Sequence, residues 1–441
     1  MNAVFFAIVL ISFLVAGYRQ ITVAPDAGQP MEALATGMID TAADSVTLAI
    51  GLVGVMSLFL GLMKVAEAGG LLTIIARLLR PLMVRIFPEV PAEHPAMGAM
   101  ILNLSANVMG LGNAATPFGI RAMQELDKLN AHKGTATNAM VLFLAVNTSS
   151  VTLLPTGVIA LRAAAGSAEP AAILPTTLFA TLISTTVAIL SAKLYQRWFL
   201  MGPVPDPVDC EEAEEAEEAE EAEEAEEAEE IEEIAPIAEE SGAYPGWVSA
   251  LALLGVVALI PLAILYGRAV SPWIIPGLMV ALLGFGISRG VRVYEVFVDG
   301  AKDGFQVAIR IIPYLVAILV AVGMFRASGA MELLIQPLGI VTELIGLPAE
   351  ALPMALLRPL SGSGAYGILA SILSDPATGP DTYVGFLVST FQGSTETTFY
   401  VLAVYFGAVN IRRIRHALAA GLTADIAGVA AAVAICAIMF A

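Results

Sequence analysis

The sequence predicts an all-α polytopic membrane protein of two inverted-topology repeats, each with a re-entrant hairpin and an interrupted transmembrane helix. Composition is one reason: 58% of the 441 residues are hydrophobic and 14% are charged, and the mean hydropathy is +0.81. A soluble globule of this length needs more polar surface than that. The others are a series of apolar runs of membrane-spanning length and a set of matching segments in the two halves.

A membrane-crossing helix needs about 20 mainly apolar residues. Nine such runs lie near residues 3–18, 47–65, 136–160, 172–192, 246–266, 273–288, 307–325, 383–409 and 419–440. The first resembles a signal-peptide core but lacks a basic leader and a cleavage site, so it reads as a span. Stretches 97–120 and 353–374 are apolar but interrupted by glycine, proline and small polar residues. Hydrocarbon cannot satisfy the backbone groups this exposes, so they read as re-entrant hairpins. By the same reasoning the third span breaks between Asn147 and Pro155, and the eighth between Gln392 and Thr398.

Lysine and arginine beside spans are retained on the cytoplasmic side. Lys64, Arg77, Arg80 and Arg85 follow the second span, and Arg121, Lys128 and Lys133 follow the first hairpin. Lys193 and Arg197, then Arg289, Arg292 and Lys302, then Arg412, Arg413 and Arg415 follow spans four, six and eight. The expected location is the inner (plasma) membrane, with the N-terminus inside and the second hairpin opening outward. Arg326 and Arg358 are exceptions to this pattern.

An internal repeat follows. Asp40 to Ser45 aligns with Asp299 to Gly304 at an offset of 259, which also carries Gly70 onto Gly329. Asn103 to Asn107 then meets Pro359 to Ser363, and Asn147 to Thr152 meets Gln392 to Thr397. The unpaired fifth span makes the second set of spans begin on the opposite side, which inverts the repeats. Asp40, Asp44, Asp299 and Asp303 are expected near the interfaces as helix caps. The halves are residues 1–200 and 245–441, joined by 201–244.

Broken helices of inverted repeats place half-helix ends and unwound backbone near the membrane middle, which is a binding-site geometry. The expected solute-binding residues are Asn103, Ser105, Asn107 and Asn113 in the first hairpin and Ser361 and Ser363 in the second. Asn147, Ser149, Gln392, Ser394, Glu396 and Thr397 join them from the broken spans. Uncharged amides and hydroxyls suit a neutral polar or zwitterionic solute, or a small anion at helix N-termini. Acids within spans are functional candidates, so Glu396 and Asp425 are expected to bind a coupling Na+ or to carry H+.

Other chemistries find little support. Of the net charge of −19, sixteen units come from the glutamates between Glu211 and Glu233, so the acidity is local. That run reads as a solvated cytoplasmic spacer. His94, His132 and His416 are scattered at the ends of apolar segments, and Cys210 and Cys436 lack motif spacing, so no metal or cofactor is expected. Gly362, Gly364 and Gly367 satisfy a dinucleotide-loop pattern without the strand that would have to precede it. No nucleophile–histidine pair marks an enzyme, and no basic aromatic patch marks nucleic acid.

The region Leu102 to Leu126 with Asn138 to Thr156 resembles the spore maturation protein A family. Leu357 to Leu373 with Gly385 to Arg413 resembles the spore maturation protein B family. The chain therefore resembles a fusion of the two, which share the nucleoside recognition, or Gate, domain with concentrative nucleoside transporters and ferrous iron permeases. The resemblance implies a nucleoside-transporter-like core moving as an elevator, with Asn147 and Glu396 where sugar and base bind. The sequence is silent on oligomeric state, although proteins that move as elevators need a fixed frame and often form homo-oligomers. The leading expectation is a secondary transporter of a small polar solute by alternating access. The alternatives are a non-transporting scaffold for envelope or spore maturation that works through the acidic linker, and a channel-like ion permease.

Overall fold

A computed structural model describes residues 2–22, 29–199, 243–330, 333, 337–339 and 342–440. The acidic run lies outside the described residues, as does the side chain of Asn113. Among the described residues the fold is helical, with one isolated bridge between Thr135 and Arg413.

The first half begins with α1 (Asn2–Thr22), α2 (Pro30–Ala68) and α3 (Leu71–Ile86). A helical hairpin follows, α4 (Pro95–Met109) and α5 (Gly112–Lys128), then a broken pair, α6 (Asn138–Thr148) and α7 (Thr156–Ala164), and then α8 (Leu174–Tyr195). The second half opens with α9 (Gly246–Ser288) and α10 (Val293–Ala327). Its hairpin is α11 (Leu352–Leu357) with α12 (Gly362–Ser374), its broken pair α13 (Tyr383–Ser394) with α14 (Thr398–Gly407), and its last helix α15 (Ala417–Phe440). Among the described residues four helices are long and apolar enough to cross a membrane: Phe5–Thr22, Pro30–Ala68, Pro170–Tyr195 and Ala417–Phe440. Large apolar side chains such as Phe6, Leu14, Leu254 and Ile426 remain exposed on helix faces, as a lipid-facing surface requires.

Local chemistry fixes the helix ends. Thr137 and Thr382 each accept a backbone N–H three residues on, capping α6 and α13. They are related by the same offset of 245 that relates Asn147 to Gln392. Gly70 and Gly329, paired at the offset of 259, both adopt left-handed backbone, with φ of 83° and 78°. That conformation favours glycine, so the sequence repeat has a conformational counterpart.

The long helices of the two halves pack in antiparallel pairs. Gly37 faces Ala327 and Gly323 faces Thr41, whereas Gly304 faces Ser57 and Gly300 faces Lys64 further along α2 and back along α10. Likewise Ser184 of α8 donates to the Ala424 carbonyl of α15. Thr176, two turns earlier on α8, shares a hydroxyl contact with Thr390, which in turn meets Cys436 near the end of α15.

Three expectations need correction. The runs 246–266 and 273–288 are one helix of 43 residues, about 65 Å at 1.5 Å per residue. Pro272 lies between the two runs, but a proline removes a single helical hydrogen bond, and the helix continues through it. The crossing count that inverted the repeats therefore no longer has a separate fifth span to rest on. Next, Asp40 and Asp44 lie within α2, and Asp299 and Asp303 within α10; the capping positions belong to Gln29 and Arg292. Strong helix formers before each pair start the helix sooner. Finally, Asn103 to Asn107 lies inside α4, whereas Pro359 to Ser361 forms the apex of the second hairpin. The first apex is Gly110, with φ of 78°, and Leu111. Small polar residues matched in the alignment, while left-handed glycine and proline decide where the chain turns.

Candidate functional site

Both broken helices open where the sequence forbids a continuous helix. Pro155 disfavours helical backbone at the residue before it, and Ser149 to Pro155 leave the helix between α6 and α7. Between α13 and α14 the chain is extended from Thr395, with φ of −142°, to Thr397. β-Branched threonines favour that conformation. The two breaks touch: the Glu396 N–H donates to the Thr148 carbonyl at 2.8 Å.

Each hairpin apex meets one break. At the first, the Leu153 N–H donates to the Val108 carbonyl at 3.0 Å. At the second, the Phe399 N–H donates to the Pro359 carbonyl at 3.1 Å. Arg358 reinforces this second junction, donating from Nη1 to Thr397 Oγ1 at 3.0 Å and from Nη2 to the Thr395 carbonyl. Its Nη2 also lies 3.4 Å from Glu396 Oε2. The arginine side chain is 5% exposed and the glutamate 49%, so the guanidinium is held in the protein while the carboxylate stays accessible.

Several predicted residues join this locus. Asn107 Nδ2 donates to Asn147 Oδ1 at 3.0 Å, which ties the first hairpin to the first break. Asn147 Nδ2 donates to the Phe143 carbonyl. Asn103 donates to Tyr405 Oη at 3.1 Å and to the Ala115 carbonyl at 2.7 Å. Thr397 receives Arg358, and Ser361 caps α12 by accepting the Gly364 N–H.

Other predicted residues turn elsewhere. Ser105, Ser149 and Ser394 are buried and donate to carbonyls of their own helices, as hydroxyls in helices often do. Ser363 is exposed, and Asn113 sits in the first turn of α5 with its side chain outside the described residues. Gln392 is buried, and its Oε1 has no hydrogen-bond partner. Asp425 is buried on α15 and accepts from Thr398 Oγ1 at 2.6 Å.

Some buried polar atoms of these residues have no hydrogen-bond partner. Asn103 Oδ1 and Gln392 Oε1 are buried acceptors lacking a donor, and Arg358 Nε is a buried donor lacking an acceptor. Such groups are uncommon in folded interiors. Among the described residues no three His, Cys, Asp or Glu side chains gather.

Sequence reasoning passed over three residues. Arg358 entered only as an exception in the charge pattern, although an arginine beside Pro359 in an apolar hairpin is itself a signal. Tyr405 reaches Asn147 and Asn103 from α14, a contact across 302 positions that no local pattern encodes. Arg162, fully buried, spans from α7 to the start of α13 through the Pro380 carbonyl, Ser389 and Asp381.

Apolar helices around a buried polar junction define a multi-pass membrane protein. The chain belongs to the nucleoside recognition (Gate) family, whose profile matches residues 49–165 and 308–412 and so takes in both hairpins and both breaks. It is similar to spore maturation protein A of Bacillus subtilis, 50% identical over 154 residues, 35% of this chain and 79% of the relative. It is similar also to spore maturation protein B of that organism, 45% identical over 166 residues, 38% of this chain and 92% of the relative. Both matches in one polypeptide bear out the fusion. Inner membrane protein YjiG of Escherichia coli is 33% identical over 95 residues, 21% of this chain and 62% of the relative. No solved structure matches. The family is a membrane family rather than a known enzyme family.

Proposed function

We propose that this protein is a secondary transporter that moves a small polar solute by alternating access. The carrying observation is the junction: each hairpin apex is bonded to one broken helix, and the two breaks are bonded to each other through Glu396 and Thr148. The antiparallel pairing of α2 with α10 and of α8 with α15 supports two inverted repeats, with α4–α5 and α11–α12 as re-entrant hairpins entering from opposite faces. In that geometry the solute rests among Asn103, Asn107, Asn147, Gln392, Glu396 and Thr397, and tilting one repeat against the other exposes it to alternate sides. The basic residues flanking the spans orient the N-terminus and linker toward the cytoplasm.

The family's description, nucleoside recognition, makes nucleosides the first solutes to try. Amino acids, dipeptides and small carboxylates follow, because Arg358 and Glu396 offer both charges. The test is uptake of this labelled panel into liposomes holding the full chain, with Na+ or H+ gradients imposed. Saturable uptake is expected. A folded protein that neither binds nor moves any of them would sink the proposal.

The relatives' names favour a second reading, in which the chain is a membrane scaffold for envelope or spore maturation. Deleting Glu211 to Glu233 separates the two, since a scaffold would lose its partners while a transporter would keep its solute.

A further inference from the structure

Asp425 stands apart from the junction just described, yet touches it. It lies on α15 with 4% exposure. One carboxyl oxygen takes the Thr398 hydroxyl at 2.6 Å, while Oδ1 has no hydrogen-bond partner. Thr398 is the first residue of α14, so the carboxyl is tied to the end of the second break.

Two glycines press it there. A side-chain carbon at Gly421 would lie 2.8 Å from Thr398 and 3.7 Å from Thr148 Oγ1, and one at Gly428 would lie 2.9 Å from Thr395 and 3.4 Å from Ser184. By lacking side chains, both let α15 approach the two broken helices closely. Asp425 thus sits where α15 meets both breaks.

The surroundings decide its charge. Of the helices packed against α15, α6, α13 and α14 carry no charged side chain, and α8 carries Lys193, which is exposed near its end. The titratable phenols on them are Tyr195, Tyr383, Tyr400 and Tyr405. Arg358 acts on Asp425 electrostatically from the second hairpin, but its Nη atoms are engaged by Thr397, Thr395 and Glu396. An ionised Asp425 would leave one charged oxygen buried without a donor, which is among the costliest arrangements in a membrane interior. As the neutral acid, it can donate through Oδ2 to Thr398 Oγ1 and leave unsatisfied only an uncharged carbonyl oxygen, a far smaller penalty. A metal cation would instead need several oxygens converging on the carboxyl, and among the described residues Thr398 is the one hydroxyl hydrogen-bonded to it.

We propose that Asp425, rather than Glu396, carries the coupling proton, and that it is protonated in the conformation described here. The inference rests on the transporter reading. Glu396 is accessible and already paired with Arg358, so its charge has a partner. When Asp425 releases its proton, the carboxylate formed is attracted by the Arg358 guanidinium, whose Nε is itself unpartnered. Attraction between them draws Arg358 away from Thr395 and Glu396 and loosens the second hairpin from its break.

The test is infrared difference spectroscopy of the purified full chain in lipid nanodiscs, comparing acidic with alkaline samples. A protonated-carboxyl band that outlasts ionisation of the solvated linker glutamates as pH rises, and disappears only at higher pH, is expected. It should be absent in Asp425→Asn, present in Glu396→Gln, and displaced in Thr398→Val, which deletes the hydrogen-bond partner. Asparagine matches the neutral acid in shape, so that variant should fold, and Thr398→Val keeps the carboxyl itself. The band should be the same in sodium and choline chloride. Persistence of the band in Asp425→Asn would overturn the inference, as would its loss on adding Na+ at constant pH. If the band behaves as expected but no solute moves in liposomes, the transporter reading fails while the protonation stands. If proton-driven uptake survives Asp425→Asn unchanged, the transporter reading stands and Asp425 does not carry the coupling proton.

Discussion

Replacing Arg162 by methionine removes a guanidinium while keeping most of the apolar stem, and its cost can be worked from the contacts. The side chain is 0% exposed and Asp381, its ion-pair partner at 3.2 Å, is 40% exposed. Asp381 also keeps hydrogen bonds from Ser167 Oγ and the Ala168 N–H, so loss of the ion pair itself amounts to about 1 kcal/mol or less after solvent screening. The carbonyls are the larger loss. Arg162 donates to Pro380 at 2.6 Å and to Pro170 at 3.2 Å, and each acceptor stranded in the interior costs about 1–3 kcal/mol. The guanidinium also lies 4.4 Å over the Phe386 ring. The sum is a loss of about 3–5 kcal/mol, in the range for a broken buried charge site. Equilibrium unfolding in mixed micelles should give that loss for Arg162→Met, about 1 kcal/mol for Asp381→Asn, and a double variant close to Arg162→Met alone. If Asp381→Asn cost as much as Arg162→Met, the ion pair and not the carbonyl clamp would be holding α7 to α13.

Two further predictions concern packing and protonation. Gly300→Leu forces a side chain into Lys64 and the Leu60 carbonyl, at 2.5 and 2.8 Å from its first carbon. It should destabilise by about 1–3 kcal/mol in the same unfolding assay, whereas Gly255→Leu, which meets open space, should be near neutral. His416 is buried just before α15, and desolvation, with Arg415 beside it, pushes its pKa down to about 4. Because the unfolded chain then binds the extra proton, stability should fall as pH drops from about 6.5 to about 4 and level off below, by up to about 3 kcal/mol; His416→Phe should flatten that slope.

What the sequence disclosed well was set locally. The breaks after Thr148 and after Ser394 follow from proline and from runs of polar β-branched residues, and both were legible as interruptions of apolar spans. Gly70 and Gly329 paired in the alignment because a left-handed position leaves little choice of residue. The repeat was less legible in the hairpins, because Asn103 to Asn107 and Pro359 to Ser363 share small polar chemistry without sharing a place in the turn. Helix length was the weakest reading. Hydropathy marks where a chain is apolar, whereas helix formers continue a helix beyond that stretch, as in α2, α9 and α10. Partners distant in sequence were beyond reach: nothing near Glu396 announces Arg358, and nothing near Asn147 announces Tyr405.

These distant partners carry the final step. Each break leaves polar groups that its own half does not satisfy. The Thr148 carbonyl of the first half is taken by Glu396 of the second, and Asn147 and Asn103 are reached by Tyr405. Arg162 of the first half holds the start of α13, while Arg415 of the second holds the start of α6 through the Ala136 carbonyl and Asn138. The clamps are reciprocal, one arginine from each half gripping the first turn of the other half's broken helix. Stranding such groups in an apolar interior is costly, so the junction is complete only when both halves are docked. That dependence gives a physical reason for carrying both halves on one polypeptide, since the linkage holds each at high effective concentration for the other.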